Sequence, residues 1–371
     1  MRRRRFIKTS LLASTGAALA GKTRALAGPE PVRPPGKARR ILAWSHSYLD
    51  FQGNDDTTRR EFERARDAGI DLLFLFVHSV PQENSAWYDA TLPGFVIEDR
   101  YTRLQNISRE TGLEVQPVIL GVSDTGLAPA VRAARSYASG APGGHKRDGI
   151  LCATWEATRA GTLRIASDVI ARHRPAGLQV DFIRYWDTGV GLDWPCACAA
   201  CRRSYREFLG RESLTAADLK NPGVLYKYLE FRNRIITAHL LNFRRLLKQD
   251  GLEFSIAARA DYFGSALVEG QDWLSWGSQG LVDSICPMNY KLSREEHRDT
   301  LARQLQILQG AVPVYSGIGR KWSGGEITAA EMVRQAEDAF DLGAAGVCLF
   351  HFNALGKADF SALAEFSRRL G

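Results

Sequence analysis

No apolar stretch in this 371-residue chain is long enough to serve as a permanent membrane span. Such a span needs about 20 residues, and the mild run from Leu11 to Ala20 falls well short. No Gly-x-Gly-x-x-Gly follows the first strand-like segment, and there is no Walker loop. The usual phosphate cradles of dinucleotide and nucleotide folds are therefore missing. No short-period repeat occurs. Acidic residues are absent from positions 1–27, which hold seven basic ones: Arg2, Arg3, Arg4, Arg5, Lys8, Lys22 and Arg24. The whole chain is +8, so the remainder is about +1. The apparent basicity belongs to that segment and gives no argument for nucleic-acid binding.

What is present begins with an address. Arg2 to Lys8 form a basic n-region, and Arg3-Arg4-x-Phe6-Ile7-Lys8 resembles a twin-arginine export signal. Ala25-Leu26-Ala27 is a small-residue cleavage pattern. Residues 1–27 read as a signal peptide, with the twin-arginine translocase as partner during export and a periplasmic or extracellular destination. Residues 28–39 (GPEPVRPPGKAR) read as a proline-rich linker, and 40–371 as one globular domain of even composition.

Across that domain, apolar strand-like runs alternate with helical stripes. The strands are expected at Ile41–His46, Ile70–His78, Val115–Leu120, Leu178–Tyr185, Phe254–Ala258, Val282–Met288, Val312–Tyr315 and Gly346–His351. Eight such strands alternating with helices predict an α/β fold, a single-domain parallel (β/α)8 TIM barrel. An open doubly wound sheet is the alternative. The runs are mostly continuous, as expected for strands buried on both faces.

Asp181 interrupts the fourth of these runs. A carboxylate in a buried strand is costly unless paired or used, and barrel active sites collect at the C-terminal ends of strands. The other strand ends offer Trp44, His46, Tyr48, Asp50, His78, Asp124, Arg184, Tyr185, Arg259, Asp261, Tyr262, Asn289, Tyr290, Tyr315, His351 and Asn353. Aromatic faces stack on sugar rings and fixed polar groups read hydroxyls, so this set suits a glycan site. Each residue also has a plainer reading as a hydrogen-bonded or packing part of the wall. For Asp181 that reading is a buried salt bridge to Arg184 or Arg259. Asp283, opening the sixth strand, is expected to serve stability at the barrel's bottom.

The segments GLQVDFIRYW, GQDWLSWGSQGLVDSICPMNY, VPVYSGIG and AAGVCLFHFNAL resemble the bacterial glycosyl-hydrolase-like family 10 barrels, in the family's order and over most of residues 40–360. The resemblance implies a barrel of the cell envelope and a glycosidase acting on polysaccharide or on peptidoglycan glycan strands. The strand-four aspartate also stands as the nucleophile does in amylase-type barrels, after a short Gly-x-x-x-Asp, which carries over to Asp181 alone.

Glycoside hydrolysis usually takes two carboxylates. The glutamate pair found on strands four and seven of many glycosidase barrels is missing here. The second carboxylate is expected among Asp261, Asp124, Asp50 and the loop residue Glu326. Asp261 is preferred, as acid, with Asp181 as nucleophile or base. No cofactor is required by this chemistry. Two other readings stand beside it. One is a non-catalytic carbohydrate-binding barrel. The other is a metal-dependent polysaccharide deacetylase using His46, His78 and an aspartate.

Six cysteines occur. Cys286 and Cys348 lie in strands and read as buried free thiols. Cys196-x-Cys198-x-x-Cys201, with Cys152 as a fourth member, suggests structural zinc or a disulfide, and the spacing leaves both open.

Overall fold

The computed structural model describes residues 39–45, 51, 53–76, 100–122, 136–138, 146–185 and 195–370. The expected signal peptide, nearly all of the linker, and His46, Tyr48, Asp50, His78 and Asp124 lie outside the described residues.

The apolar runs form β1 (Arg40–Ser45), β2 (Leu72–Phe76), β3 (Glu114–Leu120), β4 (Gly177–Asp181), β5 (Glu253–Ala258), β6 (Ser284–Pro287), β7 (Tyr315–Gly319) and β8 (Gly346–Phe350). Neighbours in sequence pair in parallel from β1 to β6, and β7 pairs β8, which returns to β1. Between β6 and β7 the sheet closes through one parallel bridge, Ile285 with Val314. The predicted (β/α)8 barrel is what forms.

Strand alternation sorts the side chains into two cores. Leu42, Trp44, Phe74, Val118, Leu120 and Ala257 fill the barrel. Ile41, Leu73, Ile119, Leu178, Val180 and Ile256 face outward under the helices. The helices are α1 (Asp55–Asp67), α2 (Arg100–Thr111), α3 (Glu156–His173), α4 (Ala199–Leu209), α5 (Pro222–Gln249), α6 (Trp273–Ser278), α7 (Arg294–Leu308), α8 (Ala329–Asp341) and α9 (Lys357–Leu370). Local chemistry sets their starts: side chains of Asn54, Asn221, Asp272, Ser293 and Thr328 accept first-turn amide hydrogens. Among the described residues no helix is long and apolar enough to cross a membrane.

Two strands depart from expectation. β7 begins at Tyr315, where the expected strand ends. Pro313 has no N–H for a ladder, and the strand instead uses Gly317 and Gly319. A Cβ on Gly317 would stand 2.6 Å from the Pro287 carbonyl oxygen, and one on Gly319 2.7 Å from the Trp322 ring. These glycines let β6 and the mouth aromatics close in on β7. β4 ends at Asp181, because Phe182 adopts a left-handed φ of 49° and the Arg184 N–H turns back to the Phe182 carbonyl at 2.8 Å. Two hairpins had no sequence forecast: Ser136–Ala138 with Lys146–Leu151, and Lys321–Trp322 with Gly325–Glu326. Asp283 accepts from Arg244 and from the Phe254 N–H, a structural role.

Candidate functional site

Asp181 ends β4 and points into the barrel mouth, 6% exposed. Its Oδ1 accepts the Phe182 N–H at 2.6 Å. Burial pushes its pKa up, opposed by the charges of Arg184 and Arg259 and by that amide. No ion pair joins Asp181 to either arginine. Both guanidiniums go instead to Glu269, a fully buried carboxylate on the loop after β5. Arg259 meets it in a two-bonded fork at 2.8 and 2.7 Å, and Arg184 approaches to 3.5 Å. The expected salt bridge of Asp181 is thus taken over by Glu269. That leaves the Asp181 carboxyl near two cations yet in a site that favours its neutral form.

Below Asp181 on the same face, Gln179 is fully buried and satisfied. Its Oε1 accepts Trp44 Nε1–H at 2.6 Å, and its Nε2 donates to Ser255 Oγ and Cys286 Sγ. The bonded layer holds the Trp44 ring as a floor. Tyr290 stands edge-on to Trp44, with centroids 6.3 Å apart, and stacks on Phe350 at 4.9 Å. Trp322, from the hairpin after β7, lies 6.1 Å from Tyr290. The Tyr290 phenol is pushed up by burial, with the Asp181 charge among the contributors. Arg184 lies over the Phe182 ring at 4.1 Å. The mouth thus joins a protonatable carboxyl, a fixed arginine lattice and clustered aromatic faces.

Of the expected mouth residues, Asp181, Arg184, Arg259, Trp44 and Tyr290 come together. His351 is half-buried beside Phe350, with its pKa lowered by burial and then by Lys321. Asn353 lies exposed in the turn that follows. Three residues go elsewhere. Tyr185 turns into the outer core, its hydroxyl 2.8 Å from Thr154 Oγ1, because the kink at Phe182 shifts the alternation by one residue. Asn289 is fully buried and spends its amide on Gln304 and Ser316. Tyr315 starts β7 at the opposite end of the barrel, near Arg40.

The second-carboxylate candidates are spread out. Asp261 is exposed and caps the short turn Tyr262–Ala266, accepting the Gly264 N–H at 3.0 Å. Tyr262 donates to Asp272. Glu326 sits on the hairpin, paired with Arg320 at 2.9 Å, beside an open hollow lined by Leu292, Arg294 and Glu331. Glu269, Phe182, Phe350 and Trp322 were not singled out in the sequence. The signal available for Glu269 was an acid set directly between the apolar Ala266-Leu267-Val268 and the turn residue Gly270, in the long segment that joins β5 to β6.

The four cysteines converge. Cys152, just after the first hairpin, meets Cys196, Cys198 and Cys201 at the start of α4, and all four sulfurs lie within 4.8 Å of one another. All are buried free thiols, as are Cys286 and Cys348. The Cys152–Cys201 sulfur separation is 3.5 Å, far beyond the roughly 2 Å of a disulfide bond. Hydrogen bonds from Cys152, Cys196 and Cys201 hold the Cys198 thiol well below its ordinary value, and burial pushes Cys196 and Cys201 up. Among the described residues this is the one group of three or more His, Cys, Asp or Glu side chains close enough to share a metal.

The same (β/α)8 barrel fold occurs in solved glycoside hydrolases. The chain is similar to the PgaB (BpsB) glycoside hydrolase domain from Bordetella bronchiseptica: TM-score 0.68, 14% identity, covering 89% of this chain and 99% of that one. It is also similar to alpha-L-fucosidase isoenzyme 2 from Paenibacillus thiaminolyticus, with TM-score 0.62, 13% identity, and coverage of 90% and 49%. The spore cortex-lytic enzyme SleL from Bacillus megaterium QM B1551 matches at TM-score 0.51 and 10% identity, over 90% of this chain and 75% of that one. No protein-family profile and no curated sequence matches. Likeness at these identities establishes the fold.

Proposed function

We propose that this chain is an exported glycoside hydrolase of the glycosyl-hydrolase-like family 10 kind. Its substrate is a polysaccharide or a peptidoglycan glycan strand. The observation that carries this is Asp181: a buried carboxyl at the C-terminal end of β4, its pKa raised, set against an aromatic floor. A raised pKa favours the protonated carboxyl, which is the form a general acid needs. Asp181 therefore donates to the glycosidic oxygen, and the exposed Asp261 acts as the partner base or nucleophile. This reverses the roles expected from sequence, because burial separates the two carboxyls. Glu269 is engaged by Arg259 and Arg184 and keeps them in place. The fold's occurrence in the PgaB hydrolase domain and SleL supports a glycan substrate, and residues 1–27 support twin-arginine export to the periplasm or beyond.

One observation favours a carbohydrate-binding barrel instead: Asp261 is already engaged as a turn cap. The test is digestion of peptidoglycan, peptide-stripped glycan strands and common α- and β-glucans by mature wild type, Asp181→Asn and Asp261→Asn, read by mass spectrometry. Cleavage by wild type with a loss of at least about 100-fold in Asp181→Asn is the expected result. Binding without cleavage by all three proteins would move the function to the carbohydrate-binding reading. Full activity in Asp261→Asn would remove that residue from the chemistry.

A further inference from the structure

We propose that Cys152, Cys196, Cys198 and Cys201 bind one zinc ion as a closed tetrathiolate site, clamping the segment after β4 to the segment before α3. The inference is independent of the hydrolase reading. Zinc–sulfur bonds near 2.3 Å place tetrahedral sulfurs about 3.8 Å apart. The four sulfurs already lie within 4.8 Å of one another, with one pair at 3.5 Å, limits that bracket the tetrahedral separation. Four convergent donors leave no open position, which marks a structural site.

The surroundings suit a negative centre. Cys198 is the N-cap of the 11-residue α4, and its Sγ accepts the Cys201 N–H at 3.5 Å. That helix end favours thiolates. Thr154 Oγ1 lies 3.1 Å from Cys201 Sγ. The guanidinium of Arg232, a fully buried residue, lies over the Tyr185 ring at 4.4 Å and near Tyr228. A zinc bound to four thiolates is a net dianion, and a buried arginine next door offsets it. Loading displaces the thiol protons to solvent and changes no oxidation state.

The clamp also reaches towards the mouth. Thr154 holds the Tyr185 hydroxyl, and the Tyr185 N–H donates to the Glu269 carbonyl at 2.8 Å. The metal thus fixes the loop that carries Arg184 and the backbone of Glu269. Export by the twin-arginine route, which carries folded cargo, would let zinc enter before the chain meets an oxidising compartment.

The test is metal analysis of the full chain, purified with reductant and no added metal. About one zinc per chain should survive dialysis. It should be released in step with about four thiols when an organomercurial is titrated in. Exchange with cobalt should give thiolate-to-metal charge-transfer bands and the intense d–d bands of tetrahedral cobalt, a readout that needs no variant to fold. Cys152→Ser and Cys198→Ser should each lose at least about 10-fold in metal retention. A metal-free protein whose four thiols are titratable or paired as disulfides overturns the proposal. Stoichiometric iron in place of zinc overturns it equally.

Discussion

Replacing Glu269 by glutamine is the sharpest probe of the arginine lattice. Glu269 is fully buried and holds Arg259 by two bonds of 2.8 and 2.7 Å and Arg184 at 3.5 Å. Glutamine keeps the shape and removes the charge. Breaking a buried ion pair on one side costs about 3–5 kcal/mol, since the other charge stays buried. The Arg259 side chain is 34% exposed and recovers solvation, whereas that of Arg184 is 4% exposed and does not. The lower end, about 3 kcal/mol, is therefore expected. Over the barrel's residues an unfolding entropy of about 2.1 cal/mol/K per residue gives roughly 0.7 kcal/mol/K, hence a fall of about 4 °C in melting temperature. Scanning calorimetry at one scan rate, neutral pH and low salt would measure it. Removing the Glu269 charge would also leave the Arg184 and Arg259 charges less compensated beside Asp181 and so lower its pKa, shifting the basic limb of any activity profile to lower pH. An unchanged melting temperature would refute the view that Glu269 compensates the buried Arg184 and the half-buried Arg259.

Acid should weaken the fold through two buried histidines. His239 and His297 are pushed by burial to about 4. Their unfolded value is about 6.5, so the unfolded state binds more protons between those values. Stability is full above about pH 6.5 and lost as pH falls towards 4, by roughly 3 kcal/mol per histidine at most; denaturant melts across that window measure it, and a flat profile would contradict it. Asp181 works in the opposite direction. Its raised pKa means that ionisation costs stability at neutral pH and that the cost disappears in acid, so Asp181→Asn should unfold at higher denaturant than wild type at pH 7 and equal it near pH 3. Gly317→Ala should cost about 1–3 kcal/mol, because its Cβ would meet the Pro287 carbonyl at 2.6 Å; an unchanged midpoint in urea would show that β6 can move aside.

Much of the barrel was legible because its signals are local. Continuous apolar runs such as Leu72–Phe76 have one stable use, a strand buried on both faces. Caps such as Asn221 before Pro222 set helix starts by contacts within a few residues. The seventh strand was not legible. Val312-Pro-Val looks apolar, while Tyr315–Gly319 looks like a loop until Trp44, Tyr290 and Trp322 need the space its glycines leave.

For the site, the residue types and the position of Asp181 on its strand were set by the sequence alone. The convergence of cysteines separated by 49 positions needed the fold. So did the partners of Arg184 and Arg259, since Glu269 reaches them only when the loop after β5 packs against the end of β4. A left-handed residue at Phe182 reversed which of Arg184 and Tyr185 faces the mouth, and alternation counted along the chain cannot anticipate one such turn. Local propensity and patterning determine which elements form. The charge state of a buried carboxyl depends on what the rest of the chain brings beside it, and only the closed barrel decides that.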